Sequence, residues 1–215
     1  MMPFAAADRT ALAAAVTTKN LDAHSTWVVN ETTNLTGLTI ASGATIKAPE
    51  GYSLTLTVDG VETGQKLVTT AGVDTQIAAG TYRGNIVLTV TETNPVLYQR
   101  LTFPLRQALY LDETGIVDAK SVLAVVVGNK MTVFDINNIR IRSTGECFNG
   151  IYVAGGEHTV KNVKIHFTGN GRSDMAGQGA AIVAIGTNTR LVVDGANINN
   201  HGVVRTPSSP MAAAT

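Results

Sequence analysis

Six polar residues between 142 and 205 have side chains that could act on a sugar-acid substrate. An Arg can hold a carboxylate through two parallel hydrogen bonds, because its guanidinium is a planar fork. His or Tyr can take or give a proton, and an Asp or Glu can serve as a general acid or base. The candidate catalytic residues are His201, Asp174, Tyr152 and Glu146, and the candidate substrate-binding residues are Arg172 and Arg205.

Each of these residues also has an ordinary structural explanation. A loop Asp or Arg is most often solvated or stabilises a turn, so no single candidate carries much weight. Cys147 is the only cysteine, which excludes an intramolecular disulfide, and it has the usual character of a small buried hydrophobe. No Cys/His spacing indicates a zinc site, and we expect neither a metal nor a cofactor.

A six-residue motif indicates which elements position these side chains. It reads apolar, any residue, Asn or Gly, apolar, any residue, apolar, and it predicts two short strands joined at a sharp bend. The corner residue must accept a positive φ, which Asn and Gly adopt at low cost. In 139–141 and 163–165 apolar residues alternate with a cation, so one face packs inward and the other meets water. The four copies are 35–40, 136–141, 160–165 and 193–198, with corners at Gly37, Asn138, Asn162 and Gly195.

The spacing of the last three corners predicts a coil that stacks on itself. These corners lie 24 and 33 residues apart, which is typical of solenoid repeats with loops of variable length. The segments 150–155 and 181–186 align with each other and add one strand upstream of each corner, so every coil contains three strands. The predicted strands are 122–127, 131–136 and 139–141 in the first coil, 150–154, 158–161 and 163–167 in the second, and 180–185, 190–194 and 196–199 in the third, after a long loop at 168–179.

Three strands per coil with an Asn-rich corner resembles the right-handed parallel β-helix of the pectate-lyase-like superfamily, over roughly residues 120–205. The resemblance implies an all-β fold, a right-handed single-stranded parallel β-helix with three strands per coil and a short N-terminal capping helix. It also implies a substrate groove along strand one. In that implied groove, several of the six candidate residues would come near one another, because they lie on consecutive coils.

Two well-known activities of that superfamily are poorly matched by this chain. Calcium-dependent pectate lyases present several Asp or Glu ligands on strand one, whereas 121–127, 151–154 and 181–185 contain no carboxylate. Polygalacturonase-type hydrolases carry paired Asp residues with a downstream Gly-His-Gly, and inverting hydrolysis needs two carboxylates around one water. This chain instead has Asn-His-Gly at 200–202. In place of paired Asp residues it has a single one, Asp194, which belongs to a corner.

The sequence predicts one solenoid domain with distinct ends. The N-terminal cap segment, 1–20, contains an expected helix at 8–16, which begins at an N-cap-type Asp and continues with strong helix formers. The parallel β-helix occupies 21–205, with a side hairpin or insertion at 59–84. An irregular tail, 206–215, follows at an uncapped coil end, where unpaired backbone groups invite pairing with another chain.

Composition limits the classes of partner. The chain has 215 residues and equal numbers of basic and acidic residues, 16 of each, so it lacks the dense positive charge of nucleic-acid-binding proteins. No apolar run reaches membrane-spanning length. No signal peptide is recognised, which favours a cytoplasmic protein, or a secreted one if an upstream signal was removed.

These observations favour a subunit or fragment of a β-helix enzyme, of lyase or hydrolase type, acting on a carbohydrate or glycoside. The alternative is a non-catalytic structural or glycan-binding β-helix module, similar to an adhesin or a fibre. The expected partners are the carbohydrate and a second polypeptide that completes the β-helix, or a homo-oligomer formed through the open C-terminal coil. Neither nucleic acid nor a membrane is expected as a partner.

Overall fold

The computed structural model describes residues 17–68, 74–128, 130–131, 134–172, 176–205 and 207–211. The expected N-terminal helix at 8–16 lies outside these residues. Within them, regular structure consists of β-strands apart from two single-turn 3-10 helices. The prediction of an all-β fold is therefore confirmed.

The N-terminal half is built from strands that pair mostly antiparallel. These strands are β1 (Thr18–Leu21), β2 (Thr26–Val28), β3 (Thr33–Ile40), β4 (Thr45–Lys47), β5 (Tyr52–Val58), β6 (Val61–Glu62), β7 (Gln65–Leu67), β8 (Thr75–Ile77), β9 (Gly80–Glu92), β10 (Asn94–Tyr98), β11 (Leu101–Asp112) and β12 (Gly115–Ile116).

The central strand of this half is β9, which pairs antiparallel with β3 on one side and β5 on the other. Its run of Ile, Val and Thr suits a pleated, half-buried surface. Leu56, Ile86 and Leu88 are fully buried in the core beneath it. β7 and β8 form a separate antiparallel hairpin inside 59–84. Because these sheets are mixed and partly antiparallel, a parallel coil does not describe 21–205 as a whole.

The C-terminal half begins with two 3-10 helices and continues as short strands. The 3-10 helices span Asp118–Lys120 and Leu123–Val125, and the strands are β13 (Val126–Val127), β14 (Lys130–Met131), β15 (Asp135–Asn137), β16 (Arg140–Ser143), β17 (Phe148–Val153), β18 (Gly156–Lys161), β19 (Lys164–Phe167), β20 (Ile182–Ile185), β21 (Thr189–Asp194), β22 (Asn197–Asn200) and β23 (Ser208–Met211).

This half consists mainly of three parallel ladders. From β15 onward, successive strands of the chain join the first, the second and the third ladder in turn. The first runs β15, β18, β21, the second β16, β19, β22, and the third β11, β17, β20, β23. Equivalent apolar positions stack from strand to strand, as Ile141 and Ile165 do, and both side chains are buried. Phe148 and Phe167 meet edge to face inside the same core, with ring centroids 6.2 Å apart.

Three of the four predicted corners are confirmed. Asn138, Asn162 and Gly195 have φ angles of 54°, 51° and 69°, and each joins a strand of the first ladder to one of the second. The prediction for Gly37 is wrong, because this residue lies inside the continuous strand β3 and has no left-handed backbone. An irregularity in the β3–β9 register between Leu35 and Gly37 takes the place of the bend.

Two other sequence predictions are corrected. Residues 122–127 are not strand one of the first coil: they form the second 3-10 helix and β13, which pairs antiparallel with β16. Their apolar run instead packs into the core, where Val122 and Val125 are fully buried. The third ladder starts from β11. The predicted irregular tail contains β23, which pairs with β20 at the edge of its ladder, a position where Pro210 is tolerated.

Candidate functional site

Tyr152 is packed into the core at the C-terminal part of β17. Only 2% of its surface is exposed, and its ring stacks on Tyr110 with centroids 5.5 Å apart. Burial raises the pKa of Tyr152 to about 12, with the neighbouring Tyr110 adding to the rise and a hydrogen bond from Asn94 opposing it. A phenol with this pKa holds its proton at neutral pH, so Tyr152 is poorly suited to act as a base there.

Glu146 connects the end of β7 to the loop that contains Asn170. Its Oε2 accepts a hydrogen bond from the Leu67 backbone N at 2.8 Å, and its Oε1 accepts one from Asn170 Nδ2 at 3.2 Å. The Asn170 side chain in turn accepts the backbone N–H of Val203 at 3.0 Å. Both carboxylate oxygens of Glu146 are therefore committed to structural contacts.

Arg205 holds C-terminal loops against the start of β17. Its guanidinium donates to the carbonyl oxygens of Gly169 at 2.6 Å, Gly145 at 2.8 Å and Gly179 at 2.9 Å, and also to that of Phe148. The group lies 4.8 Å from the centre of the Phe167 ring. Burial lowers the pKa of Arg205 to about 10, so the group remains charged at neutral pH. These carbonyls occupy the guanidinium that was predicted to bind substrate.

His201 and Arg172 are exposed, whereas Asp174 lies outside the described residues. The His201 ring stands 6.2 Å from the His166 ring on the neighbouring strand. Glu146 contacts Asn170 and Arg205 contacts the carbonyl oxygens of Gly145 and Gly169, whereas Tyr152 lies four residues, about 13 Å, beyond Phe148 along β17. The structure thus brings Glu146 and Arg205 into one region and leaves Tyr152 outside it.

A buried ion pair of the N-terminal half is hydrogen-bonded to the C-terminal half. The Glu62 carboxylate is fully buried and lies 3.3 Å from Arg106 Nη1. It also accepts hydrogen bonds from Ser143 Oγ at 2.5 Å and from the Gly145 backbone N at 3.2 Å. Arg106 donates further to Thr55 Oγ1 at 3.2 Å. Neither residue of this pair was predicted from the sequence, although an Arg inside the apolar strand β11 signals a buried acidic partner.

The second ladder carries cations on its outer surface. Outward positions of β16, β19 and β22 stand beside one another in two rows, because the three strands pair in register. The rows are Arg140, Lys164 and Asn197, and Arg142, His166 and Asn199. We call these six residues the cationic face.

The cationic face makes no ion pair with another described residue. The strands β16, β19 and β22 contain no Asp or Glu. The two ion pairs found among the described residues are Arg106–Glu62 and Arg190–Glu157, and neither involves this face. Arg140, Arg142 and Lys164 are exposed, so they are available to an anion from solution.

A polar cleft lies in the N-terminal half, between β4, β5, the β7–β8 hairpin and the first part of β11. Its volume is about 300 Å³. Lys47, Tyr52 and Asp74 lie at its rim, and the buried side chains of Gln65 and Arg106 contribute to its floor. We call this the N-terminal cleft.

Two further observations concern the residues that the structure describes. They contain no group of three or more His, Cys, Asp or Glu side chains arranged to hold a metal ion. They also include no helix of the length and apolar character that crossing a membrane requires.

Comparison of the chain with protein-family models, curated proteins and solved structures finds no match. The class that the geometry itself defines is an all-β protein in which an antiparallel half is continued by three parallel ladders.

Proposed function

We propose that the chain is a non-catalytic glycan-binding module whose cationic face binds acidic polysaccharide. Residues 135–211 in this proposal form coils of a right-handed parallel β-helix, as in the pectate-lyase-like superfamily. The three parallel ladders and the corners at Asn138, Asn162 and Gly195 support the coil. The antiparallel N-terminal half would then serve as its first layer.

The observation that carries the proposal is the register of the cationic face. Neighbouring strands lie about 4.8 Å apart and alternate residues about 6.7 Å apart, so Arg140, Arg142 and Lys164 form a flat triangle of positive charge. An extended polyanion can contact all three at once without a conformational change in the protein. Asn197 and Asn199 extend the same surface with amide groups that can bond to sugar hydroxyls.

Catalysis of lyase or hydrolase type is the second candidate, and the exposure of His201 and Arg172 favours it. It ranks second because Glu146, Tyr152 and Arg205 make structural contacts: Glu146 and Arg205 bond to backbone groups, and Tyr152 stacks on Tyr110. A carboxylate that has both oxygens bonded to the fold is poorly placed to protonate a glycosidic oxygen.

Charge reversal on the cationic face tests the proposal. We expect Arg140→Glu with Lys164→Glu to weaken binding to polygalacturonate and to heparin by about tenfold or more, because two attractions become repulsions. Binding of the unaltered protein should weaken as salt is added. Affinities are measured by biolayer interferometry on immobilised polysaccharide.

The matched control is Arg83→Glu with Arg100→Glu, which makes the same change in net charge at exposed positions in the other half. Equal loss in both double variants, or tighter binding to single-stranded DNA than to either polysaccharide, would contradict the proposal. Release of shorter saccharides during incubation with the unaltered protein would show catalysis and favour the second candidate.

A further inference from the structure

The N-terminal cleft has the size and the fixed floor of a small-ligand site. Its volume, about 300 Å³, lies at the lower end of the range for small-molecule pockets. Arg106 is 4% exposed and held by Glu62 and Thr55, and Gln65 is 3% exposed. Both side chains are therefore positioned before any ligand arrives.

Gln65 leaves one hydrogen-bonding group unused at this floor. Its amide Nε2 donates to the Leu54 carbonyl at 3.0 Å and to Thr75 Oγ1 at 3.4 Å. Its Oε1 is buried and has no hydrogen-bond partner. A buried acceptor without a donor is unfavourable, and because this atom has almost no accessible surface, a ligand hydroxyl reaches it only when the neighbouring side chains move.

The rim of the cleft combines an aromatic ring with groups of both charges. Tyr52 is 49% exposed, so its ring offers an apolar surface to a ligand. Lys47 supplies donors and Asp74 supplies acceptors, and their charges balance. The charge of Arg106 is already matched by Glu62, so the cleft as a whole favours neither an anion nor a cation.

We propose that the N-terminal cleft binds one uncharged sugar ring. A neutral hydroxylated ring matches the balanced charges and the mixture of donors and acceptors, and one face of it can lie against Tyr52. Ser53 and Thr93 add hydroxyls that can either donate or accept. The cleft belongs to the antiparallel half and is separate from the cationic face. Sugar binding in the cleft is therefore independent of polysaccharide binding by the cationic face.

Titration with single sugars tests the site. D-glucose, D-galactose, D-mannose and N-acetyl-D-glucosamine are titrated into the full chain, with D-galacturonate as the charged counterpart, and binding is followed by calorimetry and saturation-transfer NMR. We expect at least one neutral sugar to bind more tightly than D-galacturonate. Tyr52→Ala should weaken that binding by about fivefold or more, because the ring surface is lost.

Phe134→Ala is the control, since Phe134 is an aromatic residue of equal exposure, 48%, in the other half. Circular dichroism checks that both variants keep the fold. Asp74→Asn is a second variant of the cleft, and it preserves the shape of the rim. Failure of all four neutral sugars to bind, preference for D-galacturonate, or unchanged affinity in Tyr52→Ala would each overturn the proposal.

Discussion

Glu62 is the residue around which the junction of the two halves is organised. An ionised carboxylate is stable in the interior only when charged and polar partners replace its water. Arg106, Ser143 and Gly145 supply them, from β11, β16 and the loop after β16. A Cβ atom at position 145 would lie 2.5 Å from Glu62 Oε1, so the site also requires glycine there. The polar cluster is thus a structural joint between sheets.

Because of Cys147, we expect the free energy of unfolding to depend on pH in the alkaline range. Burial raises the pKa of its thiol from about 9 to about 11, an increase that Arg106 and Arg205 partly oppose. Between these values the unfolded chain has lost the proton while the folded chain retains it, so the free energy of unfolding falls as pH rises. The loss has an upper limit of about 3 kcal/mol by pH 11.

We expect Cys147→Ala to flatten this decline, which urea unfolding at pH 8, 9 and 10 measures. The window below pH 10 matters because Tyr152 contributes a similar decline above it. The same slope in the variant and the unaltered protein would show that the thiol is not responsible.

At the scale of the elements, the corner at Gly195 depends on both backbone angle and close approach. Its φ is 69°, and a Cβ atom there would lie 2.7 Å from Asn162 Oδ1 of the preceding coil. Gly51 has a φ of 80° but no atom within 4 Å of the same position. We expect Gly51→Ala to cost about 1–2 kcal/mol of stability for the left-handed backbone alone.

Gly195→Ala should cost more than Gly51→Ala, because the contact with Asn162 adds to the backbone strain. Thermal and urea unfolding of the two variants give the difference. Equal destabilisation would mean that the corner residues of successive coils do not restrain each other.

The elements differ in how well the sequence predicts them. The strands near Asn162 and Gly195 follow from local alternation and a corner residue, and both signals lie within a few positions of each other. Gly37 carries the same motif, but pairing with β9 keeps β3 extended there, and that strand begins at position 80. Likewise, the apolar run 122–127 reads as a strand, while the true partner of β17 is β11. Long-range pairing decides these cases.

The candidate site was harder to predict than the strands. Polar residue types identified Glu146 and Arg205, but the partners that occupy them come from loops distant in sequence, such as the carbonyls of Gly169 and Gly179. The outward cations of β16 and β19 were visible in the alternation of residues. Their alignment into a face depends on strand register, which the sequence suggested only through the corners.

At the scale of the whole molecule, one apolar position of the first ladder is exposed among the described residues. Ile136, Val160 and Val193 occupy equivalent positions in the first ladder, and their exposures are 1%, 0% and 43%. Val193 thus faces inward without a further strand over it among the described residues. This surface is where we propose that a second copy of the chain associates.

Light scattering tests this association. We expect the protein to be larger than one chain in solution and Val193→Lys to shift it to the monomer, because a charge in the contact must lose its water. Val203→Lys introduces the same charge at a 69% exposed residue outside the ladders and should leave the assembly intact. A monomeric unaltered protein would contradict association of copies.

The Glu62 joint also constrains the order in which the chain can fold during synthesis. Ser143 follows Glu62 by 81 residues, and Arg106 precedes Ser143 in the chain, so the carboxylate and guanidinium emerge from the ribosome well before their remaining partners. Contacts of such long sequence separation form slowly. The N-terminal half therefore reaches its final packing only after β16 has been made. In a nascent chain arrested before that point, Glu62 and Arg106 would lack Ser143 and Gly145 and would be exposed to water.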